Sequence, residues 1–118
     1  MGIVYYSRYL EFFEQARTET LNNINLKIKD LEILGFYLPV IKVECIYLKS
    51  VRLEDKINIK CRIFSIPKSK LRFDYDVLKN DEKAKVASGY TEHAFLNIKK
   101  NKPAKPPTSL LNKIKLYF

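Results

Sequence analysis

Two thiols, one imidazole and a large excess of cationic side chains are the groups in this sequence that could do chemistry. Cys45 and Cys61 are the only cysteines and His93 is the only histidine. A zinc site draws on a cluster of such residues at short spacing, and none occurs here, so neither a metal nor a cofactor is expected. Each cysteine lies in a run of alternating apolar residues, which predicts buried free thiols rather than a disulfide. There are 22 Lys and Arg against 13 Asp and Glu, a formal net charge of +9. That excess suits an anionic partner: nucleic acid, an acidic membrane surface or a phosphorylated small molecule. A solvated lysine-rich surface accounts for it equally well. Nucleic acid is set aside, because the aromatic residues fall at core spacing instead of interleaving with the basic ones. No apolar run reaches the ~20 residues that span a bilayer. No stretch has a signal-peptide pattern, and a cytoplasmic location is the expectation.

These groups must be positioned by a helix and a sheet. From Ser7 to Ile24 the residues Tyr9, Leu10, Phe13, Ala16, Thr20, Leu21 and Ile24 recur at helical spacing, with Ser7 as the N-cap. An aromatic stripe this wide calls for a sheet to lie on. "IKDLEILG" reads as a short second helix closed by Gly35. The period then changes to two. "FYLPVIKVECIYLKS", "KINIKCRIFSI", "KLRFDYDVLK" and "AKVASGYTEHAFLNIKK" read as four long strands in a meander, separated by turns at "SVRLED", "PKS" and "NDEK". No helix lies between the strands, so the class is α+β with an antiparallel sheet. At 118 residues the chain makes one domain. Its 99–118 end is a basic Pro/Lys-rich tail; residues 98–118 hold six lysines and no acid.

The opening "GIVYYSRYLEFFEQARTE" resembles the hallmark segment of the 4-hydroxybenzoyl-CoA thioesterase-like family, in particular its Tol–Pal-associated short acyl-CoA thioesterases. Gly2, Val4, Tyr5, Tyr9, Phe13, Glu14, Ala16, Arg17 and Glu19 carry the match. "GFYLPVIKVECIYLKSVRLEDKINIKCRI" and "TEHAFLNIKKNKPAKPP" are similar to later parts of the family pattern, in the same order. Ser50 stands where proline is usual. The resemblance implies a hotdog fold, an antiparallel sheet wrapped around a long central helix. It implies hydrolysis of a small acyl-CoA to a carboxylate and CoA, in a homodimer or homotetramer with the site between subunits.

The resemblance also implies residue roles. The thioester carbonyl would lie at the helix N-terminus, on the backbone N–H of Tyr6, with Gly2 allowing close approach. The family's water-activating Asp stands three positions before that glycine, which falls before Met1. The family's first strand is missing with it, and a start placed at an internal methionine is the expected reason. Glu14, eight residues after Tyr6, is then the candidate carboxylate, expected to be partly desolvated beside Tyr9, Leu10 and Phe13. Its structural alternative is a link to Arg17 or Thr18 one turn on. Arg17 and Glu19 are expected to make helix–sheet or subunit contacts. Tyr5, Tyr9 and Phe13 are candidates to line the acyl site, with a core role as the alternative for the stripe. Lys68, Lys70 and Arg72, with Lys99, Lys100 and Lys102, could meet the CoA phosphates as exposed point charges. The rival to an enzyme is an inactive hotdog protein that binds acyl-CoA or serves as a structural partner.

Overall fold

The computed structural model describes residues 6–52, 54–79 and 85–118, with the backbone alone for Tyr6. Helix α1 runs over Tyr6–Asn23 and α2 over Ile28–Ile33. Among the described residues seven strands follow: β1 Phe36–Tyr37, β2 Val40–Tyr47, β3 Ile57–Ile63, β4 Lys70–Lys79, β5 Lys85–Ala94, β6 Leu96–Asn97 and β7 Lys102–Pro103. Helix α3 covers Thr108–Lys115.

Ser7 lies inside α1, so it is not the cap. The helix ends where Asn25 takes a left-handed φ of 61°. The Leu26 N–H then bonds back to Leu21 O and the Asn25 N–H to Asn22 O, satisfying carbonyls the helix leaves open. Gly35, at φ 93°, closes the turn after α2 as expected.

The four long strands form an antiparallel sheet in the order β2-β5-β4-β3, and β1, β6 and β7 form a small second sheet. A simple meander would pair β2 with β3. Instead β2 lies at the opposite edge, bonded to β5. The connection from β2 to β3 therefore crosses the sheet, and it drops Val51 into the core on the way.

Helix α1 lies on one face of this sheet. Tyr9 meets Tyr47 of β2 edge to face, with ring centres 5.1 Å apart. Phe13 stacks on Tyr75 of β4 at 4.1 Å with the planes 9° apart. Thr20 stands beside Cys61 of β3. The central strands supply the core: Leu71, Phe73, Tyr75 and Val77 at alternate positions of β4, and the adjacent Val86 and Ala87 of β5, where the pairing register shifts. The expected basic tail is folded, because α3 inserts Leu110 and Ile114 into the same core. The long last strand breaks at Phe95, which is buried; its carbonyl accepts from the Ala104 N–H and so brings the Pro-rich segment back. Both cysteines are free and half-buried rather than buried. Burial raises each thiol above its ordinary pKa.

Candidate active site at the start of the central helix

The first turn of α1 leaves backbone N–H groups without intrahelical partners and carries the positive end of the helix dipole. No acidic residue stands in that turn to neutralise it. Tyr6 is the first described residue of α1. Gly2 and Tyr5 lie outside the described residues.

The other candidates on α1 divide between its two faces. Tyr9 and Phe13 are core side chains, packed between helix and sheet as described above. Glu14 is on the other face. The partial desolvation expected for it is not found: its side chain is exposed and shares an open surface with Glu11, Gln15, Thr18 and Glu19. The cause is helical geometry, since Glu11 and Thr18, three and four positions away, share its side while Phe13 turns to the sheet. The link to Thr18 exists, but the Thr18 hydroxyl donates to the Glu14 main-chain carbonyl at 2.9 Å, not to its carboxylate.

The cationic candidates also separate. Lys68 is exposed in the turn between β3 and β4. Lys70 lies 3.9 Å from the Glu92 carboxylate. Arg72 is not an exposed point charge. Its guanidinium is sandwiched between the Phe64 and Tyr90 rings, 4.2 and 4.1 Å from their centres. It donates through Nε and Nη2 to Asp74 Oδ1 at 3.2 and 3.0 Å. This pairing is what lets Asp74 be buried on the outer face of β4. Lys99, Lys100 and Lys102 are exposed at the turn joining β6 to β7.

Three features went unread in the sequence. Gly89 is the first. A Cβ there would collide with the Glu44 carbonyl oxygen of β2 and stand 3.1 Å from the Phe13 ring, so a glycine lets α1 approach β5. An isolated glycine within an alternating strand is the signal that marks such an approach. The second is a buried polar chain. Tyr75 Oη lies 2.7 Å from Thr91 Oγ1, and Thr91 Oγ1 lies 2.9 Å from His93 Nε2. His93 Nδ1 in turn lies 3.0 Å from the Leu38 carbonyl oxygen. Burial holds the imidazole below its ordinary pKa, and the Arg17 charge adds to this, against the Leu38 hydrogen bond. The third is an apolar cleft of about 340 Å³ lined by Ile28, Leu31, Phe36, Tyr37, Leu38, Pro39 and Leu96. Among the described residues, no helix is long and apolar enough to cross a membrane.

Known proteins are similar to this chain in sequence and in fold. The sequence is 28% identical over 82 residues to the acyl-CoA thioesterase YbgC of Haemophilus influenzae, a stretch that covers 67% of this chain and 59% of that protein. Among solved structures, protein TT1821 of Thermus thermophilus superposes with a TM-score of 0.90 at 23% identity, over 100% of this chain and 88% of the other. The DHNA-CoA thioesterase of Staphylococcus aureus superposes with a TM-score of 0.87 at 21% identity, over 99% and 78%. At those identities the superpositions speak for the fold, a helix on an antiparallel sheet of the hotdog type. The pattern of the thioesterase-like superfamily matches residues 1–114, and the chain belongs to that superfamily.

Proposed function

We propose that the chain is an acyl-CoA thioesterase, hydrolysing the thioester of a small acyl-CoA to a carboxylate and free CoA. The observation that carries this reading is the superfamily match over residues 1–114, on a chain whose α1 starts without an acid in its first turn. A thioester carbonyl set against the Tyr6 N–H would gain stabilisation as negative charge develops on its oxygen. Water then adds to the carbonyl carbon, its proton passing to a base. The C–S bond breaks as the tetrahedral adduct collapses, and CoA leaves as the thiolate. Glu14 is the proposed base, two turns along the helix. Lys68 and Lys70 are proposed to meet the CoA phosphates; Arg72, already paired with Asp74, is not needed for this. The motif in "GIVYYSRYLEFFEQARTE" supports a proposed kinship with the Tol–Pal-associated short thioesterases.

The working unit is proposed to be at least a homodimer. Strand β2 is an edge with Val40, Ile41, Val43, Ile46, Tyr47 and Leu48 exposed along and just past it. Two such edges pairing antiparallel about a two-fold axis would remove that surface from water. The Tyr9–Tyr47 contact sets the start of α1 near the far end of β2, while the apolar cleft borders its near end at Pro39. Antiparallel pairing would therefore bring the cleft of one copy toward the α1 start of the other, giving the acyl group a place beside the reacting carbonyl.

A specific observation favours the rival reading of an acyl-CoA binder without turnover: Glu14 is exposed among polar neighbours in the single chain. Release of CoA thiol from a panel of short, medium and aromatic acyl-CoAs separates the two. The enzyme reading expects turnover that Glu14→Gln lowers by about 100-fold, the scale of a lost general base. Tight CoA binding with no thiol release from any member of the panel would replace it by the binder.

A further inference from the structure

The buried polar chain beneath α1 has a direction. A carbonyl oxygen only accepts, so His93 Nδ1 must carry the proton shared with Leu38 O. The Arg17 charge on α1 acts on the Tyr75 phenol, opposing the rise in pKa that burial causes. From the Leu38 end each group has one consistent role. With Nδ1 as the donor, neutral His93 offers Nε2 as an acceptor, so Thr91 donates to Nε2 and Tyr75 donates to Thr91. If the imidazole carried a second proton, Nε2 would donate, Thr91 would turn its hydroxyl to Tyr75, and the phenol hydrogen would be left without an acceptor in the chain. No buried side-chain nitrogen or oxygen among the described residues lacks a partner, so the one-way arrangement satisfies every member.

The two ends lie on different parts of the molecule. Tyr75 lies under Phe13 of the helix whose first turn holds the proposed carbonyl site. Leu38 belongs to the connection between β1 and β2 and lines the apolar cleft. The next residue on that connection, Pro39, accepts from the Ala94 N–H at 3.2 Å. Phe13 and Phe73 hold the middle of the chain rigid, by stacking on Tyr75 and by meeting the His93 ring edge to face at 5.4 Å.

We propose that Tyr75, Thr91 and His93 are positioning residues forming a one-way hydrogen-bond relay that, with Phe13 stacked on Tyr75, ties the seat of α1 on the sheet to the rim of the apolar cleft. Its catalytic consequence rests on the thioesterase reading; the coupling itself does not. With a single histidine, nitrogen-15 histidine labelling gives one pair of imidazole signals to read. The relay requires a protonated Nδ1 and a bare, hydrogen-bonded Nε2 at neutral pH, with Thr91→Val moving Nε2 toward its unbonded shift. A proton on Nε2 instead of Nδ1 would overturn the direction. Amide hydrogen exchange reads the coupling. Tyr75→Phe and Thr91→Val are expected to speed exchange at the Ala94 N–H by about tenfold more than at β3 amides, and Thr91→Ser, which keeps the hydroxyl, to restore it. Equal changes at Ala94 and in β3 would reduce the relay to ordinary core packing and overturn the proposal. In acyl-CoA hydrolysis the same two variants are expected to lower kcat by about tenfold with KM within about twofold, the mark of a misplaced reacting group. An unchanged kcat would overturn the positioning role. A wild-type protein without hydrolysis would instead end the thioesterase reading and leave the relay to be judged by imidazole signals and exchange.

Discussion

Strands β2 and β4 invite opposite expectations from those the structure meets. The sequence VIKVECIY of β2 has two charges in eight residues; KLRFDYDVLK of β4 has five in ten. Yet Val43 in the middle of β2 is 44% exposed, while Phe73 of β4 is 0% exposed. Position in the sheet decides this. β4 has a strand on each side and α1 below it, and its outward Arg72 covers Asp74 above. Among the described residues, β2 has β5 on one side only. Apolar content says that a surface should be covered; the order of strands says which surface the chain covers by itself.

The largest effect that tests this contrast is truncation in β4. Phe73→Ala is expected to destabilise by about 3–5 kcal/mol in urea unfolding, as removal of a packed ring does, while Val43→Ala in β2 changes monomer stability by about 0.5 kcal/mol or less. Similar losses from the two would mean that β2 is as buried as β4. Gly89→Ala, on the strand between them, comes next. The new Cβ must displace the Glu44 carbonyl or the Phe13 ring, at about 1–3 kcal/mol, and loss of protection should appear at the β2–β5 amides first. A variant as stable as wild type would show that α1 does not sit close to β5.

The pH dependence is a smaller effect, and its sign follows from His93. Its pKa is lowered on folding, chiefly by burial, from the ordinary 6.5. The unfolded chain therefore takes up the proton first as pH falls. The stabilisation is complete above pH 6.5 and is lost as pH falls from there through the folded-state value. Urea midpoints of wild type and His93→Gln, compared between about pH 7.5 and about pH 5, should converge toward the acid end. A gap that widens on acidification would mean that the imidazole is buried as a cation. The smallest stability change is expected from Val43→Lys, which should leave the monomer folded and abolish the proposed pairing of β2 edges. Sedimentation then reads a monomer where wild type gives a dimer; an unchanged dimer would move the interface away from β2.

Much of the fold was legible because it repeats. The stripe of Tyr9, Phe13, Leu21 and Ile24 defines α1 to within a residue at its end, though Ser7 lies inside the helix instead of capping it, and the alternation in "KLRFDYDVLK" identifies the buried side of β4. The family motif is equally local and carries the superfamily assignment. Strand order was not legible, because alternation states which side of a strand is apolar and not which strand lies beside it. The same limit applied to the site. Glu14 is in the right sequence for a carboxylate two turns along a helix, but its solvent exposure depends on what stands opposite. Arg72 reads as one more cation until Phe64, Asp74 and Tyr90, from three different places in the chain, close around it.

The sequence by itself determined the class of fold, the long helix with one aromatic face and the superfamily to which the chain belongs, since each is written in spacings of a few residues. Only the tertiary structure decided the strand order, the folding of the basic 99–118 segment around Leu110 and Ile114, and the buried run from Tyr75 to Leu38. Those depend on contacts between residues far apart in the chain. A hydrogen bond such as His93 Nδ1 to Leu38 O, 55 positions apart, has no periodicity to announce it.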